Sequence, residues 1–248
     1  MIPTRYKAKI SEFLSHLLGT GDAPRGLTGV PYLGERPWAF LEAVPKGPRT
    51  EAQREACQDP HALIDMLLKR PVTERKLRLL AIARGRFVWD RGLFGDARLE
   101  QAVLLGERFV EGLASADEMR AARDLFDRAW LELVRAGTHR PASAARCCVS
   151  TNRDEIANCG TLHAQLPFIR DIFGDLLDSV AFAPEWRTST AVALASQMYE
   201  SREFGAMPIL GDALQDAGCD SADVLNHCRG EGPHVRGCWV VDRVLGKE

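Results

Sequence analysis

The sequence predicts an all-α fold, an irregular bundle of about nine to ten short helices with a Pro/Gly-rich N-terminal arm. Three observations carry this. Apolar residues recur at helical spacing in one segment after another, no segment sustains the period-2 alternation of a strand, and no fixed-length repeat marks a solenoid. Composition agrees: 248 residues with 46% hydrophobic and 27% charged side chains make a globular chain with ample material for a core.

Residues 1–49 stand apart. The first 50 positions hold six Pro and six Gly and a net charge of +3, which leaves −5 on the rest of the chain. Ile10, Phe13, Leu14, Leu17 and Leu18 form one helical stripe there, ended by Gly19. The stretch that follows is broken by Pro24, Pro31, Pro37, Pro45 and Pro48, yet carries Tyr32, Trp38 and Phe40. Linkers seldom spend such side chains, so these three are candidates for contact with another protein. The chain accordingly divides into an arm, 1–49, and a helical domain, 50–248.

Within the domain each helix announces itself in order. Asp59-Pro60 is an N-cap and first helical position for a helix through Leu68. Thr73 caps the next, whose Leu77, Leu79, Leu80, Ala81 and Ile82 are apolar nearly all round, as in a central buried helix. Leu99, Val103, Phe109 and Val110 mark a third. Ser115 with Glu118 is a capping box opening a long helix along Met119, Ala122, Phe126, Trp130 and Leu133. Residues 138–162 are small and polar, which predicts a loop with at most one broken helix. Phe168 to Phe173 form a short helix stopped by Gly174, followed by helices at 189–199 and 208–217, the latter ended by Gly218. A short helix runs to Cys228, and Pro233 opens the last one, through Leu245.

Net charge is −2 with a pI near 6.3, so no whole-molecule field draws in nucleic acid or acidic lipid. No run approaches the roughly 18 apolar residues of a membrane helix, and the N-terminus has no apolar leader stretch. These features predict a cytoplasmic protein with no membrane contact, its seven cysteines held as thiols.

Two blocks carry a resemblance. One comprises Thr50-Glu51-Ala52-Gln53, Asp59-Pro60 and Glu74-Arg75-Lys76-Leu77-Arg78-Leu79-Leu80-Ala81. The other comprises Arg170-Asp171-Ile172-Phe173-Gly174, Met207-Pro208-Ile209-Leu210, Asp216-Ala217-Gly218-Cys219-Asp220 and His227-Cys228-Arg229-Gly230, and ends on Pro233 to Asp242 and Leu245-Gly246-Lys247-Glu248. Together they resemble a paralogue-rich family of uncharacterised bacterial proteins of the planctomycete type, over about residues 50–248. Members often carry paired cysteines where this chain has Ala83, Arg84 and Gly85. The resemblance implies a helical fold and no particular activity.

The chemistry concentrates at the C-terminus. Cys219, His227, Cys228, His234 and Cys238 fall within 20 residues, and a helix–Gly-rich turn–helix corner could gather ligands from both sides for zinc. His234 and Cys238, four apart, are expected on one face of the last helix, with Asp242 one turn on. No CxxC knuckle accompanies them, and the same residues also suit buried packing or a Cys/His nucleophilic dyad. Cys147, Cys148, Cys159 and His163 form a weaker cluster of the same kind. Separately, Arg75, Lys76, Arg78, Arg84, Arg86 and Arg91 belong to a stretch, 69–91, with a net charge of +6 that could hold nucleic-acid phosphates or could be neutralised by neighbouring acids.

Walker, Rossmann, HExxH and Gly-x-Ser-x-Gly signatures are all missing. The sequence therefore favours a non-enzymatic helical interaction or regulatory protein whose partner is another protein. Its alternatives are a nucleic-acid-associated protein using the basic stretch and a metal-dependent or thiol enzyme using the Cys/His block.

Overall fold

Thr73 accepts the Lys76 amide with its hydroxyl at 3.3 Å and so starts the helix on which most other elements pack. A computed structural model describes residues 60–135, 139–150, 152–157, 166–178 and 181–247. The chain divides into two compact units, Met1–Pro45 and Lys46–Glu248, and everything described belongs to the second. Tyr32, Trp38 and Phe40, with the rest of the arm, lie outside the described residues.

The elements are α1 (Pro60–Leu68), α2 (Glu74–Trp89), α3 (Ala97–Val110), α4 (Ala116–Arg135), α5 (His139–Cys148), α6 (Arg153–Ala157), α7 (Leu166–Asp178), α8 (Ser189–Ser201), α9 (Met207–Asp216), α10 (Ala222–Arg229) and α11 (Trp239–Leu245), with 3-10 turns at Pro184–Trp186 and Phe204–Ala206. The fold is all-α, with no strand among the described residues. No helix among them is long and apolar enough to cross a membrane. Three buried clusters share the work: α1, α2 and α7 around Leu63, Leu77 and Phe173; α2 to α5 around Leu99, Val103 and Met119; and α8 to α11 around Met198, Leu210 and Val240.

Three local expectations are corrected. Residues 138–162 contain two helices, α5 and α6; the buried stripe of α5 is built from Ala142, Ala145 and Cys148, residues too small to register as an amphipathic face. Their size is required: a Cβ on Gly106 would stand 2.8 Å from the Cys148 carbonyl, and one on Gly85 would stand 2.9 Å from its sulfur. Gly174 does not end α7, which runs on to Asp178; a Cβ there would meet the Trp239 indole at 2.5 Å, so this glycine makes room for a ring. The final helix begins at Trp239 rather than Pro233, and residues 230–238 form a turn.

The basic stretch does not form an exposed cationic face. Lys76, Arg78 and Arg84 are buried, since α2 is enclosed on nearly all sides. Lys76 donates to the Ile172 carbonyl at 2.8 Å and Arg78 to the Ser150 carbonyl at 2.9 Å. Arg84 reaches the Ile156 carbonyl at 3.5 Å, and Arg86 grips both oxygens of Glu107 at 2.8 Å. Arg75 makes a two-pronged contact with Asp242, at 2.7 and 3.2 Å, and donates to Tyr199 at 3.0 Å. Arg91 alone of the six is exposed, with its guanidinium over the Phe87 ring.

Asp242 is 1% exposed, so Arg75→Ala leaves a buried carboxylate uncompensated and is expected to cost ~3 kcal/mol in urea unfolding. Arg91→Ala, at the exposed end of the stretch, is expected to cost less than ~0.5 kcal/mol. A second expectation concerns pH. Burial raises the Glu155 carboxyl, but hydrogen bonds from Arg123, at 2.5 and 3.1 Å, and from Ser150, at 2.5 Å, outweigh it and hold the group below its ordinary value. A depressed folded value means stability that is present above the unfolded pKa and lost as pH falls through the folded one. Melting curves at pH values below about 4.5 are therefore expected to drop less steeply for Glu155→Gln than for the wild type.

Candidate metal centre

Asp171 is a charged residue inside the apolar stripe of α7, between Phe168 and Ile172, and it is 3% exposed. A carboxylate desolvated to that degree requires partners. One oxygen, Oδ2, accepts the Val235 amide at 2.9 Å, which fixes the carboxylate against the turn of residues 230–238. The other, Oδ1, lies 2.7 Å from His234 Nδ1 and 3.2 Å from His227 Nε2. His227 Nε2 in turn lies 3.2 Å from Cys238 Sγ. One donor atom from each of Asp171, His227, His234 and Cys238 lies within 4.8 Å of every other.

Caps and turns place the elements that hold these four. His227 stands in the last turn of α10, a helix started by the Ser221 hydroxyl on the Val224 amide. Its ring packs at 5.0 Å from that of His234 and 5.2 Å from Trp239. His234 follows the cis Gly232–Pro233 bond, and Cys238 is the residue that caps α11. Gly237 precedes it with φ +96°, a conformation that glycine adopts freely.

Burial pushes the Cys238 thiol well above its ordinary value, and the Asp171 carboxylate adds to this, against the pull of the Val241 and Val240 amides. Burial also works to raise Asp171, but the hydrogen bonds of His227 and His234 prevail and its pKa is lowered. His234 Nε2 is buried and has no hydrogen-bond partner among the described residues. Asp171, His227 and His234 border a cleft of about 450 Å³ walled by Leu166, Pro167 and the Gly230–Pro233 turn.

This arrangement separates the four converging residues from the other cysteines of the block. His227, His234 and Cys238 come together, through a turn and not along one helix face. Cys219 and Cys228 do not join them. Both are buried within the α8–α11 cluster, and burial pushes the Cys228 thiol up to about 12. Asp242 points away, to Arg75. Asp171 was missed because it lies 56 residues before His227; the available signal was its position in the apolar stripe of α7. In the weaker cluster, Cys148 is a buried thiol donating to the Ala81 and Ala144 carbonyls at 3.4 Å, while Cys159 and His163 lie outside the described residues. Cys147 is disulfide-bonded, which departs from the expectation that all cysteines are thiols.

A nucleophilic dyad is poorly served by this geometry. A Cys–His–Asp relay uses the two ring nitrogens for two different partners, whereas here the single atom His227 Nε2 faces both Cys238 and Asp171. Convergence of donors on a common point is the geometry of coordination. Tetrahedral zinc with bonds of ~2.0–2.3 Å sets its ligand atoms ~3.3–3.8 Å apart, whereas here the contacts are 2.7 and 3.2 Å within an outer limit of 4.8 Å, so the four side chains hydrogen-bond to one another and would have to shift to take up an ion.

In comparisons with known proteins, the chain matches no family model, no curated protein and no solved structure. The site therefore has to be judged by its own chemistry. In chelator-treated native protein, iodoacetamide at neutral pH is expected to leave Cys219, Cys228 and Cys238 unmodified over a time that labels the denatured chain fully, because their side chains are no more than 3% exposed. Rapid native labelling of Cys238, read by peptide mass spectrometry, would instead restore the nucleophile reading.

Proposed function

We propose that the chain is a zinc-binding helical protein in which the metal is structural, and that the protein works by binding rather than by catalysis. The observation that carries this reading is the convergence of Asp171, His227, His234 and Cys238 from α7, α10, the turn and the cap of α11. Two imidazoles, a thiolate and a carboxylate suit zinc, which accepts nitrogen, sulfur and oxygen donors together. Four protein ligands fill a tetrahedral shell, as structural sites do, while catalytic sites keep a position for water.

The metal would tie two of the three buried clusters together. Asp171 is flanked by Ile169, Ile172 and Phe173 of the cluster around α2, and Cys238 belongs to the cluster of α8 to α11. The cleft beside Asp171, His227 and His234 favours one second reading, a metal that exchanges the carboxylate for water and admits a ligand.

Protein purified without a histidine tag is expected to contain about one zinc per chain by elemental analysis. Metal present at about 1,000 times its dissociation constant adds ~4 kcal/mol, so a chelator is expected to lower the melting temperature by about 10 °C. Asp171→Ala, His234→Ala and Cys238→Ser are each expected to lose the metal, and Cys228→Ser to keep it. Cobalt substitution reads the shell directly: tetrahedral bands with a thiolate charge-transfer transition support the closed site, and a five-coordinate spectrum supports the second reading. Metal-free protein with an unchanged melt would reduce the four residues to a hydrogen-bonded packing cluster.

A further inference from the structure

A groove of about 840 Å³ runs between α3 and α4, far larger than the cleft at the metal centre. Its apolar walls include Leu104, Leu105, Leu113, Leu125, Phe126 and Leu133. Leu113 and Leu125 are 67% and 61% exposed, and they are two of the four large apolar side chains that stand exposed among the described residues. Apolar surface gathered in this way marks a binding site more often than scattered exposure does. α3 has 14 residues, about 20 Å of length, which is enough to accommodate an extended alkyl chain.

The two ends of the groove differ in charge. At one end Arg98 is answered by Asp96, at 2.6 Å, and by Glu132, at 3.3 Å. At the other end stand Arg202 and Arg236, with Arg108 on the rim beside Glu118 at 3.6 Å. The two carboxylates there are committed inward. Glu107 is shared between Arg86 and Arg202, at 2.8 and 2.5 Å, so two cations divide one anion. Glu111 is held by the Tyr199 hydroxyl and, at 3.1 Å, by Lys247. Arg236 donates only to the Tyr199 and Glu200 carbonyls, at 2.6 and 3.2 Å, and has no carboxylate partner among the described residues. Burial, together with Arg236 and Arg86, lowers the Arg202 pKa despite Glu107.

An apolar trough in which cations outnumber carboxylates at only one end suits an anionic head with an apolar tail. We propose that the α3–α4 groove binds a single-chain anionic amphiphile, an alkyl chain ending in a carboxylate, with its head on Arg202 and Arg236 and its tail along Leu105, Leu125 and Phe126 toward Leu133. Pockets of this size, mostly apolar with a few convergent polar groups, are typical of small-molecule sites. A guanidinium is suited to a carboxylate because it offers parallel N–H donors.

The test uses the full chain and a dansyl-labelled undecanoate probe. Fluorescence titration is expected to give saturable binding of one probe per chain, displaced by hexadecanoate at a concentration at least about tenfold lower than by hexadecyltrimethylammonium, since the head groups differ in charge. Leu125→Asp, a change at an exposed position that keeps the fold, is expected to abolish binding. Arg236→Gln is expected to weaken it about tenfold, with a melting curve run beside it. Equal displacement by the cationic and anionic amphiphiles overturns the proposal, as does binding that survives Leu125→Asp. Failure of hexadecanoate alongside capture of an acidic amphipathic peptide overturns it too, and assigns the groove to a helical partner.

Discussion

Enclosing a helix that carries five cations imposes the constraint from which the rest of the architecture follows. α2 buries Lys76, Arg78 and Arg84 and half-buries Arg75 and Arg86. Desolvated charges are costly unless each finds an acceptor, so the surrounding elements are placed by what they can offer. α3 supplies Glu107, the end of α5 supplies the Ser150 carbonyl, and α6 supplies the Ile156 carbonyl. Two consecutive residues then do something more specific. Arg75 holds Asp242 on α11, and Lys76 holds the Ile172 carbonyl on α7. Asp242 lies four residues after Cys238, and Ile172 is the residue after Asp171. The start of α2 thus fixes both elements that deliver these two donors, although α2 contributes no donor of its own.

This explains why the basic stretch was misleading in the sequence. A run of net charge +6 looks like a solvated or phosphate-binding face because residue type is visible and burial is not. Glu74 and Glu107 answer Arg78 and Arg86 from 4 and 21 residues away, but Asp242, which answers Arg75, and the Ile172 carbonyl, which accepts from Lys76, are 167 and 96 residues away. What was visible was local: the Thr73 cap, the Ser115–Glu118 box with its reciprocal bonds of 2.7 and 3.2 Å, and the all-round apolar character of residues 77–82. α5 escaped notice for a related reason. Its inward residues had to be alanine and cysteine to approach Gly85 and Gly106, and small side chains weaken the periodic signal that identifies a helix.

The candidate site was legible in part. Residue type and spacing singled out the C-terminal block, and three of its five Cys/His residues converge with Asp171. The reason given by spacing was wrong, since His234 and Cys238 meet through a glycine-containing turn and not through a helical repeat. Sequence alone could not separate Cys228 from Cys238, because both are buried cysteines near a histidine. What separates them is direction: Cys238 faces His227, whereas Cys228 packs against Gly211 on α9, where a Cβ would stand 2.9 Å from its own.

Close packing prepares the donors before any ion is considered. Gly174 lies three residues after Asp171 and admits the indole of Trp239, the residue after Cys238. Gly237, the residue before Cys238, leaves room for Leu79 of α2, where a Cβ would stand 2.9 Å from Cδ1. Cys238 is therefore held between two close approaches, one to α7 and one to α2, and both depend on the absence of a side chain. Asp171 is held in its turn by the Val235 amide. Sites assembled by the ion itself leave the chain unfolded without it. Here the glycine contacts, the Arg75–Asp242 pair and the Lys76 hydrogen bond all act without metal, so the ion would add stability to a fold already formed.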